Sequence, residues 1–177
     1  MITYISLLRG VNVGGRKILM TELKQLYESL KFKRVKSYIQ SGNIIFRSSN
    51  PEIKALEEEI ESKLLENYDF QIPIFIRTIT ELNKIIESNP FTDDDLKNIY
   101  ITFLKDKPIN VPVNLIEDRK DASEKFLINQ REIYLFLPNG YGRTKISNNF
   151  FESKLKLPAT TRNWRTVTQL YNLAKDL

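Results

Sequence analysis

The chain has 177 residues and a formal net charge of +5, and it contains neither cysteine nor histidine. Those absences exclude disulfides, thiolate nucleophiles, cysteine zinc sites and serine–histidine triads, leaving carboxylates and lysines to carry protons. No run approaches the roughly 18 apolar residues of a membrane-crossing helix, and the apolar start lacks a basic leader, so a cytoplasmic protein with no membrane partner is expected.

Ile2–Leu8 is a continuous apolar run and reads as a buried strand. From Thr21, the residues Leu23, Leu26, Tyr27 and Leu30 fall on one helix face. Val35–Gln40 and Ile44–Phe46 flank Ser41-Gly42, which predicts a hairpin with a two-residue turn. Asn50-Pro51 opens a second helix, with cap and first-turn proline in their favoured order. Its apolar face runs Ile53, Leu56, Ile60, Leu64, and Ile72–Ile76 is a further strand. The order strand-helix-strand-strand-helix-strand is that of a ferredoxin-like unit, in which strands two and four form the sheet edges. Lys33, Arg34 and Lys36 on the second strand and Pro73 in the fourth suit such edges.

A helix over Thr80–Glu87 follows, then a strand over Tyr100–Leu104 and a connection spaced by Pro108 and Pro112. Lys125–Asn129 and Glu132–Leu137 make a second hairpin, and Thr144–Leu155 and Trp164–Lys175 read as helices. The last buries Val167, Leu170, Tyr171 and Ala174. The expected fold class is α+β. A ferredoxin-like βαββαβ domain covers residues 1–80, and a smaller α+β domain with a hairpin and two C-terminal helices covers 81–177.

Charge is unevenly spread. Residues 1–50 carry nine Lys/Arg against two acids, residues 141–177 seven against two, and the middle eleven against eighteen. Cationic ends suit an anionic partner, although solubilising lysines on an ordinary surface give the same count. Three donor-rich stretches without an acid lie in those ends: Arg9–Lys17 (RGVNVGGRK), Gln40–Asn43 (QSGN) and Thr160–Trp164 (TTRNW). In a ferredoxin-like unit the turn after strand one and the hairpin between strands two and three share one end, and strand three neighbours strand one. The first two stretches are therefore expected to meet at a rim.

Glycines at positive φ let successive amides form an anion-binding nest, and a helix start beyond adds its positive dipole end. The expected ligand residues are Arg9, Asn12, Gly14, Gly15, Lys17, Ser41, Asn43, Arg162 and Asn163, with Arg16 as a further cation. Gly10 and Gly15 have the nucleotide P-loop spacing, but Arg16-Lys17 stands where Lys-Ser/Thr is required. No dinucleotide fingerprint and no cofactor site are read. Each motif also has a plain structural explanation: turning glycines, an ordinary hairpin tip, and Thr161 or Asn163 capping the last helix. Trp164 reads as a packing anchor, and Gly140–Arg143 as a weaker fourth loop. Asp93-Asp94-Asp95 is explained by Thr92 or Asp93 capping a short helix rather than by a metal.

Together RGVNVGG, YIQSGN (Tyr38–Asn43) and TTRNW resemble the DUF1697 family of bacterial proteins, and Tyr141–Lys145 and Asn148-Asn149-Phe150 fit it too. The resemblance implies a two-part α+β fold with a ferredoxin-like first half and implies no activity. Three functions are weighed. The first is binding of a nucleotide, a phosphorylated metabolite or RNA at the rim. Tyr4 and Phe46 are the sole remnants of an RNA-recognition aromatic platform, so a small phosphorylated ligand ranks ahead of RNA. The second is a structural protein or homo-oligomer whose polar loops merely satisfy turns. The third is a transferase or hydrolase acting on a phosphorylated substrate, which needs an acid such as Asp69 or Glu22 facing the rim.

Overall fold

The structure is a computed structural model and describes residues 1–15 and 17–177. It divides into two compact units, Met1–Lys84 with Gln169–Leu177, and Ile85–Thr168. The division falls inside a helix, and the C-terminal segment belongs with the first unit.

The first unit contains β1 (Ile2–Leu8), α1 (Met20–Ser29), β2 (Lys33–Ser37), β3 (Asn43–Ser48), α2 (Ile53–Tyr68), β4 (Ile74–Thr78) and the start of α3 (Ile79–Glu87). Its antiparallel sheet has the order β2-β3-β1-β4. Apolar β1 and β3 are central because both of their faces are buried, as a doubly covered strand requires. Alternation sends Tyr4 and Leu8 of β1 and Ile44 and Phe46 of β3 to the helix side, where they pack with Leu23 and Tyr27 of α1 and Leu56, Ile60 and Leu64 of α2. Phe46 anchors an aromatic cluster, with ring centroids 5.5 Å from Tyr4, 5.5 Å from Tyr27 and 4.5 Å from Phe32. Ser6 Oγ and Tyr27 OH satisfy one another at 2.7 Å inside it.

The second unit repeats that order. It contains β5 (Ile99–Leu104), α4 (Val113–Arg119), β6 (Lys125–Asn129), β7 (Glu132–Phe136), α5 (Asn148–Leu155), β8 (Ala159–Asn163) and most of the first turns of α6 (Trp164–Lys175). The sheet runs β6-β7-β5-β8, the same arrangement element for element. Its core gathers Leu104, Ile116, Ile133, Leu135, Phe151 and Ala159.

Several local expectations shift. The first hairpin is not a two-residue turn: β2 ends at Ser37, and Tyr38 to Gly42 connect it to β3, with Ile39 and Gly42 at φ of 48° and 72°. Asn50 does not cap α2. Its Oδ1 accepts from Glu52 N at 3.0 Å, turning the chain ahead of a helix that begins at Ile53. α4 and β8 have no counterpart among the elements that the sequence pattern predicts. β8 is Ala-Thr-Thr-Arg-Asn, with no apolar alternation to betray a strand, and pairing with β5 orders it.

Candidate functional site

Geometry first brings the two N-terminal stretches together. Leu8 N donates to Gly42 O at 2.9 Å, and Asn12 Nδ2 donates to Gln40 O at 2.7 Å. Asn12 also closes its own loop: Nδ2 donates to Ile18 O at 3.1 Å, and Oδ1 accepts from Ile18 N at 2.9 Å. Asn12 adopts a left-handed φ of 58°, a conformation asparagine tolerates better than most residues. The linkage between α2 and β4 joins the same end, where Arg9 N donates to Pro73 O at 3.0 Å.

On the hairpin side, Asn43 is completely buried, and its Nδ2 donates to Tyr38 O at 3.0 Å and to Ser41 Oγ at 2.9 Å. Gly42 is also buried. A Cβ built there would lie 2.8 Å from Leu8 Cβ and 3.4 Å from Val11 Cβ, so only glycine lets the loops close this tightly. Asn12, Ser41 and Asn43 thus have their polar atoms turned into the protein, and they position the rim.

What faces outward is narrower than the nine-residue set. Gly14 and Gly15 are exposed, at φ of 59° and 89°, and a Cβ on either would meet nothing within 4 Å. Among the described residues, neither backbone N–H donates within the chain. Lys17 is exposed beside them and Arg9 is half-buried at the base of the loop. Arg16, the third cation of the motif, lies outside the described residues.

Arg162 and Asn163 belong to the second unit. Arg162 is buried on β8, where its Nη1 donates to Thr160 Oγ1 at 2.8 Å and Thr161 O at 3.0 Å. Asn163 Oδ1 accepts from Thr166 N at 2.8 Å and caps α6. Half-buried Trp164 is the first residue of that helix. A matching pair went unread in the first unit. Arg77, 1% exposed, stands beside Ile5 as Arg162 stands beside Ile101, and Thr78 caps α3 as Asn163 caps α6. The recoverable signal was Arg followed by a capping residue at the end of each fourth strand.

Other candidates resolve locally. Asp95, not Thr92 or Asp93, caps the short turn near residue 96: its Oδ1 accepts from Lys97 N. Hydrogen bonds from the Lys97 side chain and backbone hold its carboxyl below the usual range. In the Gly140–Arg143 loop, Tyr141 OH accepts from Asn148 N at 2.8 Å, supporting the start of α5. Of the two acids named for catalysis, Glu22 sits in the first turn of α1, where Tyr68 OH donates to its Oε2 at 3.5 Å. Burial, then the charge of Glu22, raises the Tyr68 pKa. Asp69 is the exposed C-cap of α2, at φ of 58°.

A family profile described as a protein of unknown function, DUF1697, matches residues 1–134. The chain belongs to the DUF1697 family. The matched span includes the Arg9–Lys17 and Gln40–Asn43 loops of this DUF1697 member and stops before Thr160–Trp164. Among solved structures, the conserved bacterial protein SP0830 from Streptococcus pneumoniae is similar, at 25% identity and a TM-score of 0.72, with 99% of each chain covered. A comparison with curated proteins gives no match. Among the described residues, no helix is long and apolar enough to cross a membrane.

Proposed function

We propose that this DUF1697 protein binds a small phosphate-bearing ligand, a nucleotide or a phosphorylated metabolite, on the Arg9–Lys17 loop. The observation that carries the reading is the pair of exposed amides at Gly14 and Gly15, which donate to no acceptor among the described residues, at the tip of a loop whose base Asn12 fixes. Backbone amides presented this way favour an anion, and Lys17 and Arg9 supply opposite charge along the same loop. In this reading Asn12, Ser41 and Asn43 position the loop, and the second unit's Arg162 and Asn163 stabilise their own strand and helix.

A second reading, a structural role with no ligand, is favoured by the inward bonding of Asn12 and Asn43. Thermal unfolding against nucleotides, sugar phosphates and short RNAs separates the two. A ligand at a hundred times its Kd adds about 2.7 kcal/mol, which for this length is roughly 5–11 °C in Tm. Lys17→Ala should keep the ligand-free Tm and lose that shift. A steep salt dependence would identify RNA as the ligand, and a flat panel favours the structural reading.

A further inference from the structure

We propose that two copies of this chain join through β6, as an antiparallel strand pair about a two-fold axis at Leu127. An open sheet edge is a ready template for pairing, and this fold has four: β2 and β4 in the first sheet, β6 and β8 in the second.

Three of these are guarded. β2 carries Lys33, Arg34 and Lys36, and its register with β3 is broken between Lys33 and Lys36. On β4 the outward N–H groups of Ile74, Ile76 and Thr78 are taken by Glu61, Glu57 and Glu81 at 2.8, 2.8 and 2.7 Å. On β8, Ala159 N donates to Glu152 Oε1 at 2.9 Å, and Thr161 Oγ1 donates to Asn148 Oδ1, so α5 lies along that edge.

Among the described residues, β6 has one such device, Lys125, and its charge is engaged elsewhere. Its turn to β7 spans only Gln130 and Arg131, with Gln130 at φ of 55°, and Asn129 pairs with Glu132. In such a hairpin the closing pair exchanges both bonds, so Asn129, Leu127 and Lys125 bond inward to β7. The N–H and C=O groups of Phe126 and Ile128 therefore point away from the sheet, and among the described residues their N–H groups have no acceptor. The lysine that would guard the edge is neutralised: Lys125 Nζ lies 2.9 Å from both Asp94 carboxylate oxygens and 5.1 Å from the Phe136 ring centroid.

On the outer face of the strand Leu127, 41% exposed, stands between Lys125 and Asn129. On the other face Phe126 and Ile128 line an open groove of about 320 Å³ with Pro108, Val111 and Val113, closed at its rim by Lys107 and Gln130. Ile109, 97% exposed, lies on the same connection.

Self-pairing is the occupant that the register selects. Centred on Leu127, the pair sets Phe126 against Ile128 of the second copy, the residues whose backbone groups face outward. Lys125 then meets Asn129 rather than another lysine, and Leu127 meets itself. Moving the centre by one residue sets Glu124 against Ile128 or Gln130 against Phe126, opposing a polar side chain to an apolar one. The isologous pairing closes as a dimer and joins the two second-unit sheets into one.

The test is the solution mass of the full chain by light scattering across the micromolar range, for the wild type, Leu127→Lys and Leu127→Glu. The expected wild-type mass is twice 20.8 kDa. Each variant alone places like charges at the axis and should fall to the monomer mass with its circular dichroism unchanged. An equimolar mixture of the two should regain the dimer mass, which a merely misfolded variant would not do. A wild-type monomer at every concentration overturns the proposal and leaves the edge to an extended segment of another protein. Variants that stay dimeric alone, or a mixture that stays monomeric, overturn it as well.

Discussion

Replacing Gly42 with alanine tests whether the two loops close as tightly as the geometry requires. Gly42 holds φ of 72°, where an L-residue costs roughly 1–2 kcal/mol. The new Cβ would also stand 2.8 Å from Leu8 Cβ. That atom is fixed to the backbone of β1 and cannot swing aside, so overpacking adds about 1–3 kcal/mol. Gly14→Ala supplies the control: at φ of 59° it carries the backbone cost, but its Cβ meets nothing within 4 Å, so about 1–2 kcal/mol is expected. Urea unfolding of both variants isolates the steric part as the difference between them. For a chain of this length Gly42→Ala should lower Tm by roughly 4–20 °C. Equal destabilisation of the two variants would refute the reasoning, because the Leu8–Val11–Gly42 contact would then be too loose to hold the rim.

Asn43→Ala removes both donors that tie the hairpin connection at Tyr38 and Ser41, and should cost about 1–3 kcal/mol in urea unfolding. Glu57→Ala leaves the buried Ile76 N–H without its acceptor; a comparable loss, about 1–3 kcal/mol, and faster exchange of the Ile76 amide are expected. Glu57→Gln keeps an acceptor oxygen and should lose clearly less. At high pH, Tyr27 and Tyr134 should keep their protons past the ordinary tyrosine range. Burial first, and for Tyr134 the charge of Glu132, push them up, Tyr134 to about 12. The unfolded chain ionises near pH 10, so the folded state binds more protons above that pH. Stability is then full below pH 10 and falls as pH rises toward 12, by about 2–3 kcal/mol from Tyr134 alone. Tyrosinate absorbance titration and unfolding along the same pH series check the sign.

The first unit was legible because its signals are local and agree with one another. Ile2–Leu8 is one continuous apolar run, as a strand buried on both faces demands, and Leu56, Ile60 and Leu64 repeat as one helix face. Once topology was read from that pattern, the meeting of residues 9–17 with residues 40–43 followed without any contact being known. The second unit was harder. Ala159–Asn163 has the composition of a loop, yet it lies opposite Leu104 to Tyr100, and that pairing makes it a strand. No window along the sequence contains that information.

The role of each polar residue was undecided by the sequence. Asn12 and Lys17 read alike, as donors in one glycine-rich loop, because a sequence shows that a side chain can bond but not what it meets. Tertiary structure separated them: Asn12 is held by Gln40 and Ile18, while Lys17 stands in solvent. Arg162 likewise read as a ligand residue until burial on β8 gave it backbone and threonine partners. The sequence by itself determined the elements of the first unit, their ferredoxin-like order and the family, since these follow from periodicity and motif. Only the fold decided which donors are already satisfied, because hydrogen-bond partners are set by three-dimensional proximity across tens of residues.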